Sequence, residues 1–344
     1  MLNRRHLRIK VLQVLYAFFQ GHENDAYKAE KELLLSIERM YDMYLYLLIA
    51  LPELQRAAQN RQAELKKKMR PTAEDLQPNM KFVDNQLIEH LAAHTSLYKL
   101  AAQRKVNWLG AENQEMFKKM HLHLMDTELF FEHMNNGAEG IEEDMNFALQ
   151  IFKQEVANAS LLQHFFDEKS IYWTDDLDLC ASMALKTLKS WKPGQQMEVF
   201  PLYKADDDEK EFILTLLHKT IQSDEQHQAD VLALADNWEL DRIAKMDMLL
   251  LKMGLTELQY CTSIPTKVTL NEYIEISKFY STPKSNVFIN GILDKAISKL
   301  TEEKRIQKVI FIHGVGEGVL KLELEYLLKR YDFIKFYPAE FRVY

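Results

Sequence analysis

The sequence is poor in the residues that make tight turns: its 344 residues include only 10 glycines and 8 prolines. That disfavours an all-β sandwich or barrel, whose many short connections draw on both. Cysteine is scarcer still. Cys180 and Cys261 cannot build a disulfide framework and fit two reduced thiols in a cytoplasmic protein. Long apolar runs are missing too. The most apolar stretch, Met43 to Pro52, is ten residues, against the roughly 20 a membrane helix needs. The start, MLNRRHLRIKVLQ, has no continuous apolar segment and does not read as a secretory signal. Acid is absent from the first 22 residues, yet the chain carries 51 acidic against 43 basic residues, a net charge of −8. A uniformly basic nucleic-acid surface is thereby excluded; a local one is not. What is present is the composition of a folded chain, 47% hydrophobic and 27% charged, with a length that suggests about two domains.

The apolar pattern is helical almost throughout. Leu7, Val11, Val14, Leu15 and Phe18 recur at helical spacing and predict a first helix with one apolar stripe, capped at Asn3 and stopped at Gly21. A second helix is expected from about Tyr27, interrupted at Pro52 and continuing to Lys68, with a break at Pro71 and Pro78. Further helices are expected over 83–106, 111–134, 140–167 and 174–190. The segment 191–209 reads as the longest loop, and helices follow over 206–222, 225–236, 239–258, 265–279 and 283–299. Thr282 and Pro283 supply an N-cap and first-turn signal for the last of these. The final 44 residues change character. KVIFIHGVGEG, then a helical VLKLELEYLLKRY, then DFIKFYPAEFRVY suggest a short βαβ-like tail after Thr301 on a mainly α body.

Two segments could meet nucleic acid. In the first helix, Arg4, Arg5, Arg8 and Lys10 concentrate positive charge, and Arg5, Leu12, Tyr16 and Phe19 share an arc beside the stripe. Guanidinium groups pair with phosphate and rings stack on bases, which suits single-stranded nucleic acid. The same residues also suit a solvated basic start whose aromatics pack inward. In the second segment, Lys267, Lys278, Lys284, Phe288 and Asn290 gather basic, aromatic and amide groups around the turn at Thr282. Free N–H groups there could take a phosphate; an ordinary helix–turn–helix with surface lysines is the other reading.

Together these segments resemble the NusB family. The arginine-rich start with its Q-x-L-Y element is matched by Arg4, Arg5, Arg8, Gln13, Leu15 and Tyr16. The elements P-x-K-V, N-E, E-x-x-K and F-x-N-G-x-L-D-K are matched by Pro265, Lys267, Val268, Asn271, Glu272, Glu275, Lys278, Phe288, Asn290, Gly291, Leu293, Asp294 and Lys295. NWELDRIAKMDMLLLKMGLTEL, ending in a Glu-Leu pair, is similar to the family's core helix. The resemblance implies a helical, non-enzymatic bundle formed by 1–21 and 206–300, with 22–205 as a long helical insertion and 301–344 as the tail. It implies binding of boxA-like nascent RNA together with the ribosomal protein NusE on the transcription elongation complex, with no cofactor, metal or catalytic residue. The RNA contacts it points to are Arg4, Arg5, Arg8, Lys284 and Phe288, with Tyr16 facing NusE; the residue pattern adds Lys10, Gln13, Lys267 and Asn290 to the RNA candidates and Phe19 to the partner-facing ones. Lys284 stands where many family members carry an acid, which should strengthen phosphate attraction.

The tail is similar to the core of the Smr family through His313, Gly314, Gly316, Gly318 and Leu320, without that family's flanking elements. This resemblance implies a nucleic-acid-processing alternative in which the tail nicks what the body binds. A helical protein-interaction scaffold is the third reading. G-x-G-x-G here lacks the spacing of a dinucleotide fingerprint. His121, His123, His133 and Glu128 mimic metal ligands, but helical spacing aims His121 and His123 apart. Asp206, Asp207, Asp208 and Glu209 read as helix-start charges, and Tyr41, Tyr44 and Tyr46 as core or interface.

Overall fold

The computed structural model describes residues 4–21, 25–203, 208–235 and 242–302. The tail expected after Thr301, with its Smr-like motif, lies outside the described residues. Among those described every regular element is helical. The chain divides into two compact units, Met1–Leu217 and His218–Tyr344.

In the first unit, α1 (Arg4–Gln20) and the 41-residue α2 (Ala26–Lys66) are followed by α3 (Ala73–Leu76), α4 (Gln86–Ala92) and α5 (Thr95–Gln103). Then come α6 (Ala111–Met125), α7 (Glu128–Asn135), α8 (Ile141–Ile151), α9 (Ser160–Lys169) and α10 (Leu177–Ser190). A π-helical turn (Phe152–Val156) follows α8 and a 3-10 turn (Ile171–Trp173) precedes α10. The next helix, α11 (Glu209–Gln222), crosses the division between the units. The second unit holds α12 (Asp224–Leu234), α13 (Lys245–Tyr260), α14 (Thr266–Tyr280) and α15 (Ser285–Glu302). No helix among the described residues is long and apolar enough to cross a membrane.

The central element of the first unit is α2, which packs against α1, α4, α6 and α10. Its residues Met40 to Pro52 are buried without a gap, so this stretch is covered all round rather than along one stripe, and its one acid, Asp42, is paired with Arg39 and Arg104. Helix continues through Pro52, where an interruption was expected. Proline removes one rung of the ladder, and burial on every side holds the rest. The three tyrosines are core. Tyr44 OH meets Thr187 Oγ1 at 2.7 Å and accepts from Phe200 N, Tyr41 OH donates to Phe200 O at 2.9 Å, and the Tyr46 ring lies edge-on to Trp108. Phe200 belongs to the long loop, which is therefore tied to the core. His94 Nε2 bonds Met197 O at 2.7 Å, and Met197 N donates to His90 Nε2 at 3.2 Å.

Several long expected helices are broken in two. Periodicity runs across 83–106 and 111–134, but His94 Nδ1 accepts from Leu97 N and Thr127 Oγ1 accepts from Phe130 N. Each side chain caps a new helix where no glycine or proline announces one.

In the second unit, α13 is buried from Asp247 to Leu258 and packs against α12, α14 and α15. Gly254 makes the closest approach: a Cβ there would stand 2.9 Å from Leu293 Cδ2. The Glu-Leu pair of this helix has a visible function. Glu257, 1% exposed, accepts from Thr269 Oγ1 at 2.7 Å and from Tyr273 OH at 3.0 Å, fastening α14 to α13. A buried carboxylate is tolerated when such donors satisfy it.

The metal-mimicking histidines separate as their spacing requires. His121 is buried and stacks on Phe82, His123 faces solvent beside Glu155, and His133 Nδ1 meets Glu143 Oε1 at 2.9 Å. Burial, with the charge of Arg61, lowers the His121 pKa from 6.5 to about 4. A histidine harder to protonate when folded contributes stability above its unfolded pKa, and that stability is lost as pH falls. Between pH 7 and pH 5 the urea-unfolding free energy should drop by about 1–2 kcal/mol on this account. His121→Phe should flatten that part of the profile, and an unchanged slope would contradict the assignment.

Candidate nucleic-acid interface

The first candidate region is α1. At 100° per residue, its apolar stripe lies between Lys10 on one side and Arg8 on the other. The structure buries a wider arc than one stripe, roughly 200° on the same geometry, because α1 lies on α2 and meets the segment ahead of α10. Leu7, Val11 and Leu15 are 0% exposed, Leu12 is 1%, and Arg8 and Lys10 are also 1%. The expectation that Arg8 and Lys10 stand out as RNA contacts is therefore corrected. The wider packing takes in the residues that flank the stripe.

Their charges are handled internally. Lys10 Nζ lies 2.7 Å from Asp176 Oδ2, an ion pair rather than an aligned hydrogen bond, and donates to Tyr172 O at 2.9 Å. Burial pushes the Asp176 carboxyl up, and Lys10 pulls it back down. The Arg8 guanidinium sits 5.2 Å from the centre of the Phe212 ring, and that of Arg4 5.4 Å from it. Arg4 also pairs with Asp208, so this acid of the expected helix-start cluster has a specific partner. Asp206 and Asp207 lie outside the described residues. Gln13 Nε2 donates to Asp175 Oδ2 at 3.0 Å. Arg5 is half-buried, Tyr16 is 40% exposed, and Phe19 is half-buried with its ring edge-on to Phe18 at 5.2 Å.

The second region, in the other unit, is the turn between α14 and α15. The helix begins at Ser285, two residues later than expected from Thr282 and Pro283. Thr282 N donates to Ser285 Oγ at 3.1 Å, and Ser285 N to Thr282 O at 3.0 Å, so the turn is closed from both sides. It is anchored by a residue that sequence reasoning missed. Asp247, 6% exposed in the first turn of α13, accepts from Ser281 Oγ on one oxygen and from Ser285 Oγ at 2.8 Å on the other. Sequence offers no signal for this, since the partners lie 34 and 38 residues away.

The anchored turn presents Lys284 to solvent, with Phe288 half-buried one helical turn later. Asn290 is exposed, but on the opposite flank of the buried Ile289, so it and Phe288 point apart. Lys267, also exposed, is in the first turn of α14, thirteen residues and about 20 Å along the axis from Tyr280. The structure does not bring it to the turn. Lys278 is paired with Glu275. Two further groups stand out beside the turn, Phe279 at 81% and Val287 at 72% exposure. An open cleft of about 460 Å³ between α2, α4 and α5, lined by Pro52, Glu53, Arg56, Glu89 and Tyr98, touches none of the candidate residues.

With this geometry in hand, three kinds of comparison bear on the chain. The NusB family model matches residues 182–298, from within α10 to within α15. A transcription antitermination protein NusB of Salinibacter ruber is 39% identical over 155 residues, which cover 45% of this chain and 87% of that relative. The same-named protein of Chloroherpeton thalassium is 36% identical over 118 residues, 34% of this chain and 53% of the relative. One from Listeria monocytogenes is 36% identical over 88 residues, 26% and 69% respectively. The match thus spans about half the length of the Chloroherpeton protein and most of the Salinibacter one. No solved structure gives a significant match.

The anchoring role of Asp247 is open to direct measurement. Asp247→Ala removes the acceptor for two hydroxyls and should cost about 2 kcal/mol, read from chemical unfolding. Hydrogen exchange at the Thr282 and Ser285 amides should quicken. Wild-type stability with unchanged exchange would show that the turn holds itself.

Proposed function

Because the chain belongs to the NusB family, we propose that it is a transcription antitermination factor that acts by recognition and not by catalysis. Its ligand in this reading is a boxA-like single-stranded RNA, taken up together with the ribosomal protein NusE on the elongating polymerase, in the cytoplasm. In this reading the segments 1–21 and 206–300 carry the family's motifs and 22–205 is a long addition, whose α2 packs on α1 and whose last part, from residue 182, falls within the family match. The observation that carries the reading is the outward arc of α1, where Arg5 and Tyr16 keep access to solvent in a segment without acid. Arginine there supplies phosphate contacts, and an exposed ring offers stacking or partner packing.

The residues divide into two groups. Arg4, Arg5 and Gln13 on α1, with Lys284, Phe288 and Asn290 at the second turn, are the proposed RNA contacts. Tyr16 and Phe19 are the proposed NusE-facing residues. Lys267 is a separate phosphate contact in this reading, given its place at the far end of α14. Arg8 and Lys10 act from within, by setting how α1 sits. The nicking activity suggested by the tail rests on residues outside those described and forms no part of this reading.

The test is binding of a boxA-like RNA by the full chain, with and without NusE. Replacing Arg4 and Arg5 by alanine should weaken binding and reduce the slope of log affinity against log salt by about 1.4, two single-strand phosphate contacts. NusE should raise the affinity of the unaltered chain. Binding indifferent to both the substitutions and NusE would favour the scaffold reading. Lys284→Glu should likewise weaken binding and lower the salt slope by about 0.7; unchanged affinity and slope would remove the turn from the RNA site.

A further inference from the structure

Two residues of α1 that suit phosphate, Arg4 at its start and Gln13 on its outer flank, are already engaged, and by acids of this same chain. Arg4 is paired with Asp208, and Gln13 Nε2 donates to Asp175 Oδ2 at 3.0 Å. Asp175 lies in the long addition, one residue before the Asp176 that neutralises Lys10. A carboxylate presents guanidinium and amide donors with the same kind of paired oxygen acceptor as a phosphate. Side by side, the contacts differ in permanence. The Lys10 and Asp176 side chains are 2% and 5% exposed, so their separation would leave two buried charges. Those of Arg4 and Asp208 are 30% and 47% exposed, and the Gln13–Asp175 bond is also at the surface. Surface contacts of this kind are weakly held and readily exchanged for another anion.

Resting on the reading of α1 as an RNA helix, we propose that Asp208 and Asp175 are built-in occupants of two phosphate positions, which RNA enters by displacing them. Lys10 stays with Asp176 throughout, so α1 keeps its place while its outer contacts change hands. The competition lowers RNA affinity and disfavours weak, non-specific polyanion binding, since every ligand must first outcompete an intramolecular carboxylate.

The experiment is fluorescence anisotropy of a labelled boxA-like RNA with the full chain at low salt. Asp208→Asn and Asp175→Asn keep side-chain shape and leave the buried Lys10–Asp176 pair intact. Asp208→Asn, which loosens an ion pair, should raise affinity about two- to five-fold, the range set by surface ion pairs; Asp175→Asn, which weakens a charge-assisted hydrogen bond, should raise it by about two-fold. The gain from Asp208→Asn should vanish in an Arg4→Ala background, and that from Asp175→Asn in a Gln13→Ala background. Glu112→Gln and Glu139→Gln, both at exposed positions, each make the same one-charge change elsewhere in the unit and should leave affinity unaltered. Equal gains from that control pair, or gains that survive loss of Arg4 and Gln13, would overturn the proposal in favour of a general charge effect. RNA bound equally by wild type and by both aspartate variants would overturn displacement alone. No RNA binding by any form would overturn the RNA reading of α1 and this proposal with it.

Discussion

An ammonium group buried against a carboxylate fixes the geometry of the amino-terminal helix. Lys10 sits in the packed side of α1, and Asp176 and the Tyr172 carbonyl meet it there, the carbonyl from 162 residues further along the chain. Breaking such a pair from one side costs about 3–5 kcal/mol, whereas an exposed pair contributes roughly 1 kcal/mol or less. That contrast sorts the charges of α1 into two classes. Lys10 belongs to the interior and sets the rotation of the helix about its axis. The rotation in turn decides that Arg5 and Tyr16 look outward and that Arg8 lies against Phe212. The proposed nucleic-acid face is what the buried pair leaves uncovered.

The second unit uses buried carboxylates in a parallel way, with hydroxyl donors in place of a cation. Glu257 gathers Thr269 and Tyr273, and Asp247 gathers Ser281 and Ser285. Both acids are on α13, about fifteen ångströms apart along its axis by the ordinary helical rise. One fastens the body of α14, and the other fixes the turn after it. Exposed groups at that turn are held in place by a residue that is itself almost wholly out of solvent. A positively charged lysine on a rigid turn offers a phosphate a fixed site, with less ordering to be done on binding than a mobile loop requires.

Much of this was legible in the sequence, and the reasons for the rest are specific. Helical content, the core character of Tyr41, Tyr44 and Tyr46, and the divergent aim of His121 and His123 all follow from periodicity, which is a local property. Family membership was legible because its motifs are short and local, in the first helix and in one stretch of the second half. The helix breaks at His94 and Thr127 were not, since a single capping side chain decides them and periodicity continues across. Burial of Lys10 was invisible because its partner, Asp176, is distant in sequence, and a lysine beside an apolar stripe normally faces water. Asp247 was missed for the same reason: its contacts are distant in sequence. Sequence placed the charge of α1 correctly along the chain, while tertiary packing decided which way each charge points.

The central claim is that the positive charge of α1 is divided between an inner, structural part and an outer, ligand-facing part. It is tested most directly by replacing the buried pair with an apolar one, Lys10→Met together with Asp176→Leu, and measuring the salt dependence of boxA-like RNA binding. The account predicts a folded chain whose affinity and salt slope match those of the unaltered protein, because no phosphate contact has been removed. A slope lower by about 0.7, the signature of one lost single-strand phosphate contact, in a chain that still folds would contradict it and return Lys10 to the RNA.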